Sequence, residues 1–237
     1  MEWREEGTVL RRRSHGENAV ILDVMTAGHG RHSGVVPGGA SARRAALLQP
    51  GSRLMLHWRA RLDDQIGGFA VEPVASRAGL MTDALSLAGL NAVCALLVFS
   101  LPERDPHPRL ASATEALLDA MQASRDWAGD YLRWELLLLD EMGFGLDLGR
   151  CAVTGAAEGL AYVSPRSGRA VSLAGAGVYA PRLLVLPGFL GGQGGGLAEG
   201  LALTGHFLDS RLAAGLVGRP LPAARARLAG MLSRAGA

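Results

Sequence analysis

Residues 6–36, EGTVLRRRSHGENAVILDVMTAGHGRHSGVV, decide how the first part of the chain folds. Three short runs rich in apolar and β-branched residues, Thr8–Leu10, Ala19–Met25 and Ser33–Val36, alternate with Gly, Asn, Ser and His at nearly even spacing. That is the pattern of strands joined by turns. Working outward, Arg53–Arg59 and Gly68–Val71 read the same way. Five such strands within residues 1–76 predict a small closed barrel, in which closure removes exposed sheet edges. An OB-type barrel is the natural candidate.

After Pro73 the pattern changes. Residues 78–101 read as one long apolar helix, broken by LPERDPHPR with prolines at 102, 106 and 108, because proline supplies no N–H and restricts its predecessor. Further helices are expected over Ala111–Ala123 and Trp127–Met142, the latter with Trp134, Leu138 and Met142 on one stripe. Gly143 and Gly145 end it. Residues 147–180 read as irregular, GGQGGG at 191–196 as a flexible spacer, and two shorter helices, 197–214 and 221–234, finish the chain. The fold class is therefore α+β: a barrel domain over residues 1–76, then a helical domain over 77–237 with an irregular insertion at about 147–180.

Composition narrows the chemistry. All 24 basic residues are Arg and there is no Lys, which excludes a Walker A loop and Schiff-base chemistry. Cys94 and Cys151 stand far apart with no CxxC, so neither a disulfide framework nor a four-cysteine metal site is expected, and a reducing cytoplasm fits best. The opening MEWREEG is too acidic for a signal peptide. Ala84–Leu101 carries 18 residues without charge, near the lower limit of a membrane span. With Asn91 in its middle and no basic cluster at either end, it reads as a buried helix.

The charge is unevenly placed. Residues 1–61 hold ten Arg against five acids, and the remainder fourteen Arg against seventeen. A basic barrel joined to a mildly acidic helical body can attract a polyanion, since Arg gives salt-sensitive, sequence-independent affinity for phosphate. VVPGGASARRAALLQPG, residues 35–51, has no carboxylate. Gly38 and Gly39 would let the backbone bend toward a nucleic-acid strand, and Arg43 and Arg44 would reach its phosphates from a mobile loop. A solvated turn is the other reading of the same residues. Arg11, Arg12, Arg13, Arg31, Arg59 and Arg61 join this candidate surface. Among the barrel's large rings, Trp58, between His57 and Arg59, is the one expected to stack on a base rather than fill the core.

Other motifs are weaker. GHGRHSG, residues 28–34, has the wrong glycine spacing for a dinucleotide loop and precedes no helix. His29 and His32 have no acidic neighbour in sequence and read as bystanders rather than metal ligands. No GxSxG, HExxH or paired-carboxylate pattern marks an enzyme.

Taken in order, EGTVLRRRSHGENAVILDVMTAGHGRHSGVVPGG with LQPG, then LPERDPHP, RWELLLLDEMGFGLDLGRCAVTG and YVSPRSGRAVS, the chain resembles the RecO family of bacterial DNA repair proteins, closely its alphaproteobacterial branch, nearly end to end. The resemblance implies an N-terminal OB-fold, a helical domain and no catalytic activity. It implies a recombination mediator that binds single- and double-stranded DNA, anneals complementary strands, associates with RecR and helps load RecA onto DNA covered by single-stranded-DNA-binding protein. It places the family's basic loop on residues 38–44. It also places the Arg of an Arg-aromatic-Glu-Leu motif on Arg133, which with Leu137 would hold the acidic, hydrophobic-ended tail of the single-stranded-DNA-binding protein. Arg133 can equally pair with Asp130 along its own helix.

The chain departs from the family in one respect. Many members carry a zinc site of two CxxC pairs, whereas here Cys151 and Thr154 occupy the first pair and Ser172 and Gly175 the second. The resemblance thus implies a degenerate zinc-finger-like loop with no zinc, held by packing and hydrogen bonds. In RPLPAARARL, Arg225 and Arg227 are out of register with the family's basic pattern and receive no role. The expected protein is a cytoplasmic, nucleoid-associated DNA-binding mediator without cofactor or membrane segment. The alternative is an OB-fold adaptor whose barrel contacts acidic protein, and a hydrolase using His29 or His32 is a further rival.

Overall fold

The computed structural model describes residues 1–62, 65–123 and 126–235. The chain forms two compact units, Met1–Arg125 and Asp126–Ala237.

In the first unit, β1 (Glu2–His15), β2 (Ala19–Thr26), β3 (Gly30–Val36), β4 (Arg53–Arg59) and β5 (Gly68–Ala75) close into a barrel of order β1-β2-β3-β5-β4, and a short helix α1 (Ala42–Leu47) links β3 to β4. All pairings are antiparallel except β3 with β5. Closure depends on β1. Its first half pairs with β4 and its second with β2, the two ladders overlapping at Gly7 and Thr8. A β-carbon on Gly7 would sit 2.7 Å from Leu56 and 2.8 Å from the Met25 carbonyl, so only glycine lets three strands meet there. A bulge between Val9 and Arg11 then bends the strand, as barrel corners require. Val9, Val20, Leu22, Val24, Val36, Leu48, Leu54, Leu56, Trp58 and Phe69 fill the interior, each such side chain contributing about 1.5–3 kcal/mol by leaving water.

Two helices pack with this barrel. A 3₁₀ turn (Ala78–Met81) leads to α2 (Ala84–Ser100), where Ser86 N–H donates to the capping Asp83 carboxylate, and α3 (Pro108–Ala123) follows. As expected, the uncharged segment is a buried helix: Leu90, Val93, Cys94, Leu96 and Leu97 are all buried. Among the described residues no helix is long and apolar enough to cross a membrane. The proline-rich connection runs beside β3, where Arg31 bridges to Glu103 in parallel and Arg104 N–H donates to the Arg31 carbonyl. Gly30, at φ +62°, lies so near the Asp105 carbonyl that any β-carbon would overlap it.

The second unit comprises α4 (Ala128–Glu141), a three-stranded sheet of β6 (Leu160–Val163), β7 (Ala170–Ser172) and β8 (Leu184–Val185) in order β7-β6-β8, a single turn α5 (Leu173–Ala176), α6 (Leu197–Phe207) and α7 (Ala223–Ala235). The wider π-type turns of Leu208–Val217 extend α6. Residues 147–180, read from sequence as irregular, thus contain two sheet strands and a helical turn. They are too short to show a period. The expected spacer at 191–196 is a fixed turn. Gly192 N–H donates to the Pro187 carbonyl, and Gly196 caps α6 by donating to Glu199 at 2.7 Å.

Candidate nucleic-acid interface

Strand register determines which barrel arginines share a surface. Arg13 pairs with Ile21, Ile21 with Val35, Val35 with Gly68 and Gly68 with Arg59. None of these five is buried, so they form one outward row with an arginine at each end, four strand spacings or roughly 19 Å apart along the curved sheet. The β3–β4 connection leaves this row directly after Val36, and it carries Arg43 and Arg44, both exposed. Arg61, also exposed, follows Arg59. The shear of the barrel therefore gathers residues from its first and fourth strands that sequence separates by more than forty positions.

The adjacent row, Arg11–Asp23–Ser33, is internally balanced. Asp23 is fully buried, and its carboxylate accepts from Arg11 Nε at 2.5 Å, Arg13 at 3.3 Å and the Ser33 hydroxyl at 2.6 Å. Burial pushes this carboxyl up, but the hydrogen bonds and charges of Ser33, Arg11 and Arg13 outweigh it and hold Asp23 below the usual aspartate range. A depressed carboxyl stabilises the fold in full above its unfolded value and loses that contribution as pH falls through the folded one. Acid titration of unfolding should therefore show the parent losing its advantage over Asp23→Asn only below about pH 4. The two arginines keep nearly half their side-chain surface in water, so one carboxylate serves two outward-facing cations.

Several expected residues take different positions. Trp58 is 2% exposed and donates from its indole to the Ile66 carbonyl at 3.0 Å, so it is core, not a stacking platform. Arg31 donates to the Leu101 carbonyl at 2.9 Å and to Glu103 at 3.1 Å; it fastens the proline-rich connection to the barrel. Arg12 is half-buried and reaches the Gly39 carbonyl. Gly39 is itself buried, where a β-carbon would meet Val20 and the Val36 carbonyl, so packing rather than approach to a ligand requires glycine. Gly38, exposed at φ +67°, supplies the bend. Arg43 and Arg44 sit on α1 rather than on a mobile loop, and Arg44 donates to the Pro37 carbonyl at 2.8 Å.

Sequence reasoning missed a ring stack. Trp3 lies parallel to His29 with centroids 4.3 Å apart, and His29 Nδ1 is 2.7 Å from Glu5. The barrel thus gives His29 the acidic neighbour that is absent from its local sequence. Among the described residues no three His, Cys, Asp or Glu side chains converge as a metal site.

In the second unit, Arg133 donates to Asp130 at 2.8 Å, as helix spacing allows, and also to the Phe189 carbonyl at 3.0 Å, with its guanidinium 6.0 Å over the Phe189 ring. Leu137 is half-buried. Cys151, Thr154, Ser172 and Gly175 do come together. Cys151 Sγ accepts from the Ser172 N–H at 3.2 Å and hydroxyl at 3.3 Å and from the Val153 and Thr154 N–H groups at 3.4 Å. Burial raises this thiol, but the bonds from Ser172 and Thr154 prevail and draw it down to about 6. One sulfur, two hydroxyls and a glycine do not fit zinc, which takes four nitrogen, thiolate or carboxylate ligands. The knuckle is held by hydrogen bonds to sulfur.

Most of each unit matches known families. Residues 1–77 match the model described as Recombination protein O N terminal, and residues 81–220 that described as Recombination protein O C terminal. The chain belongs to the RecO family of DNA repair proteins. It is 64% identical to the DNA repair protein RecO of Paracoccus denitrificans over 234 residues, covering 98% of this chain and 97% of that one. It is 58% identical to the protein of the same name from Cereibacter sphaeroides over 239 residues, 99% of this chain and all of the other. The RecO of Dinoroseobacter shibae is 52% identical over 239 residues, 99% of each chain. A general role in DNA repair and recombination follows from this membership.

Proposed function

We propose that the barrel is an OB-fold which binds the backbones of single- and double-stranded DNA, and that the protein anneals complementary strands and helps RecR load RecA onto DNA covered by single-stranded-DNA-binding protein. The observation that carries this reading is the outward row ending in Arg13 and Arg59, continued by Arg43, Arg44 and Arg61. Of these five, Arg13 alone is in ion-pair contact among the described residues, with Asp23. Neutralising phosphate on two strands lowers their mutual repulsion, so pairing is promoted without a reacting group; the activity is that of a mediator, not an enzyme. In the helical part, taken as residues 77–237, Arg133 and Leu137 would receive the tail of the single-stranded-DNA-binding protein, with Phe189 as apolar floor. A protein acting on chromosomal DNA in this way would work in the cytoplasm, at the nucleoid.

Replacing Arg43 and Arg44 with alanine should weaken binding to any oligonucleotide and lower the slope of log affinity against log salt by about 1.4 for a single strand. A titration at several salt concentrations measures this. An unchanged slope removes both residues from the contact surface, and failure of the parent protein to bind at low salt leaves the adaptor reading in its place.

A further inference from the structure

The β6–β7 hairpin of the second unit carries a cationic cluster that the barrel surface does not account for. Its turn, Ser164–Arg169, is closed by Ser164 N–H donating to the Arg169 carbonyl and Gly168 N–H to the Ser164 carbonyl, both at 2.9 Å, with Gly168 at φ +73°. Arg166, Ser167 and Arg169 project from it, all exposed. Arg211, on the π-type turns, donates to the Arg166 carbonyl at 2.6 Å and lies 5.9 Å over the Phe207 ring. His206 Nε2 stands 3.1 Å from the Pro165 carbonyl. Three guanidinium groups and an imidazole thus surround one tight turn.

Asp147 meets Arg169 at 3.2 Å, and among the described residues neither Arg166 nor Arg211 is in ion-pair contact. Holding like charges together on a rigid turn is unfavourable unless an anion joins them. Arg211 is fixed by its carbonyl bond and by Phe207, so little side-chain freedom remains to be lost on binding.

The geometry points to a second binding site for a nucleic-acid backbone, built from Arg166, Arg169 and Arg211 on the helical unit and separate from the barrel surface. This rests on the DNA-binding reading above and deepens it: annealing brings two strands together, and each compact unit then has its own phosphate-binding surface. An acidic peptide ending in hydrophobic residues fits less well. The ring beside the cluster, Phe207, is 1% exposed beneath Arg211, so the hairpin offers charge without an apolar pocket.

The test uses the full chain, a labelled thirty-nucleotide oligothymidylate and a pair of complementary oligonucleotides of mixed sequence. In Arg166→Gln, Arg169→Gln, Arg211→Gln, the single-strand salt slope should fall by roughly 2 and the annealing rate at least tenfold, with the thermal midpoint unchanged. The corresponding triple Lys variant, which keeps the charge, should recover most of the annealing. Parent-like slope and annealing in the Gln variant overturn the site. So does a variant that binds DNA normally but loses affinity for an Asp/Glu-rich peptide, which assigns the hairpin to a protein partner. If the Arg43, Arg44 variant is unaffected while the hairpin variant fails, the barrel reading falls and this one stands. If the parent binds no oligonucleotide, both fall.

Discussion

Arg225→Ala should destabilise the second unit by roughly 3–5 kcal/mol, the range for stripping one partner from a buried ion pair. The carboxylate it serves, Glu135, is fully buried. Arg225 Nε donates to one oxygen at 3.0 Å and a terminal nitrogen to the other at 3.1 Å, while the same nitrogen also reaches the Leu201 carbonyl at 2.8 Å. Tyr131 and Thr204 complete the shell with hydroxyl donors at 2.6 and 2.5 Å. Burial opposes charge on the guanidinium, but Glu135 and Tyr131 outweigh it and raise its pKa. Burial and the adjoining Glu135 together push the Tyr131 hydroxyl well above its usual value, so it stays protonated and donating. Alanine at 225 would leave the carboxylate with two neutral donors and no counter-charge. It would also cut the tie among α4, α6 and α7. Urea titration followed by far-ultraviolet circular dichroism measures the loss, which should change little with salt because a buried pair is poorly screened. Arg133→Ala is the contrast: its pair with Asp130 leaves both side chains 54% exposed, where such bridges contribute at most about 1 kcal/mol. Replacing Arg225, Glu135 and Tyr131 together with Met, Leu and Phe should recover most of the stability, since it removes the charge and its partners at once.

This pair also marks the limit of what could be read from the sequence. The apolar strand runs locate the barrel, because residues buried on one face must alternate along a strand, and β2 to β5 lie where their runs are. The first half of β1 was not legible. Its alternating charges, Glu2, Arg4 and Glu6, look like a solvated leader, and only pairing with β4 makes them a strand. Counting arginines identifies a basic barrel but not which of them stay available. That depends on partners far away in sequence, such as Leu101 and Glu103 for Arg31, or Asp23 for Arg11 and Arg13. Two local signals were present all the same. Asp23 interrupts AVILDVM and Glu135 interrupts WELLLL. A carboxylate inside an apolar run must find a cation when the run is buried, and following that rule would have led toward Arg225 as a structural residue. Trp58 shows a signal that was there to follow: it alternates with Leu54 and Leu56 along β4, and a period of two places it on their buried face.

Arg77→Ala should cost the first unit about 2–3 kcal/mol, less than the Arg225 change although the side chain is just as deeply placed. Arg77 is 3% exposed and stands where the chain leaves the barrel. It donates to Asp119 from two nitrogens, at 2.9 and 2.6 Å, to Glu115 at 2.8 Å and to the Gly51 carbonyl at 3.1 Å. Burial disfavours its charge, and the two carboxylates more than restore it, raising the guanidinium pKa. The difference from Arg225 lies in what is left behind. Asp119 keeps 64% of its side-chain surface and Glu115 27%, so water can take over both carboxylates, and Glu115 retains bonds from Thr8 and a weaker contact with Arg53. The loss is then that of charge-assisted hydrogen bonds, about 1.5–3 kcal/mol, plus one orphaned carbonyl, rather than that of an unpaired buried charge. Arg77→Lys should recover about half, because a single ammonium cannot span two carboxylates and a carbonyl as the planar fork does. Denaturant titration of the three chains orders them as parent, Lys, Ala. Equal stability of parent and Ala would mean that α3 is held to the barrel by apolar packing alone and that the charges at this junction are incidental.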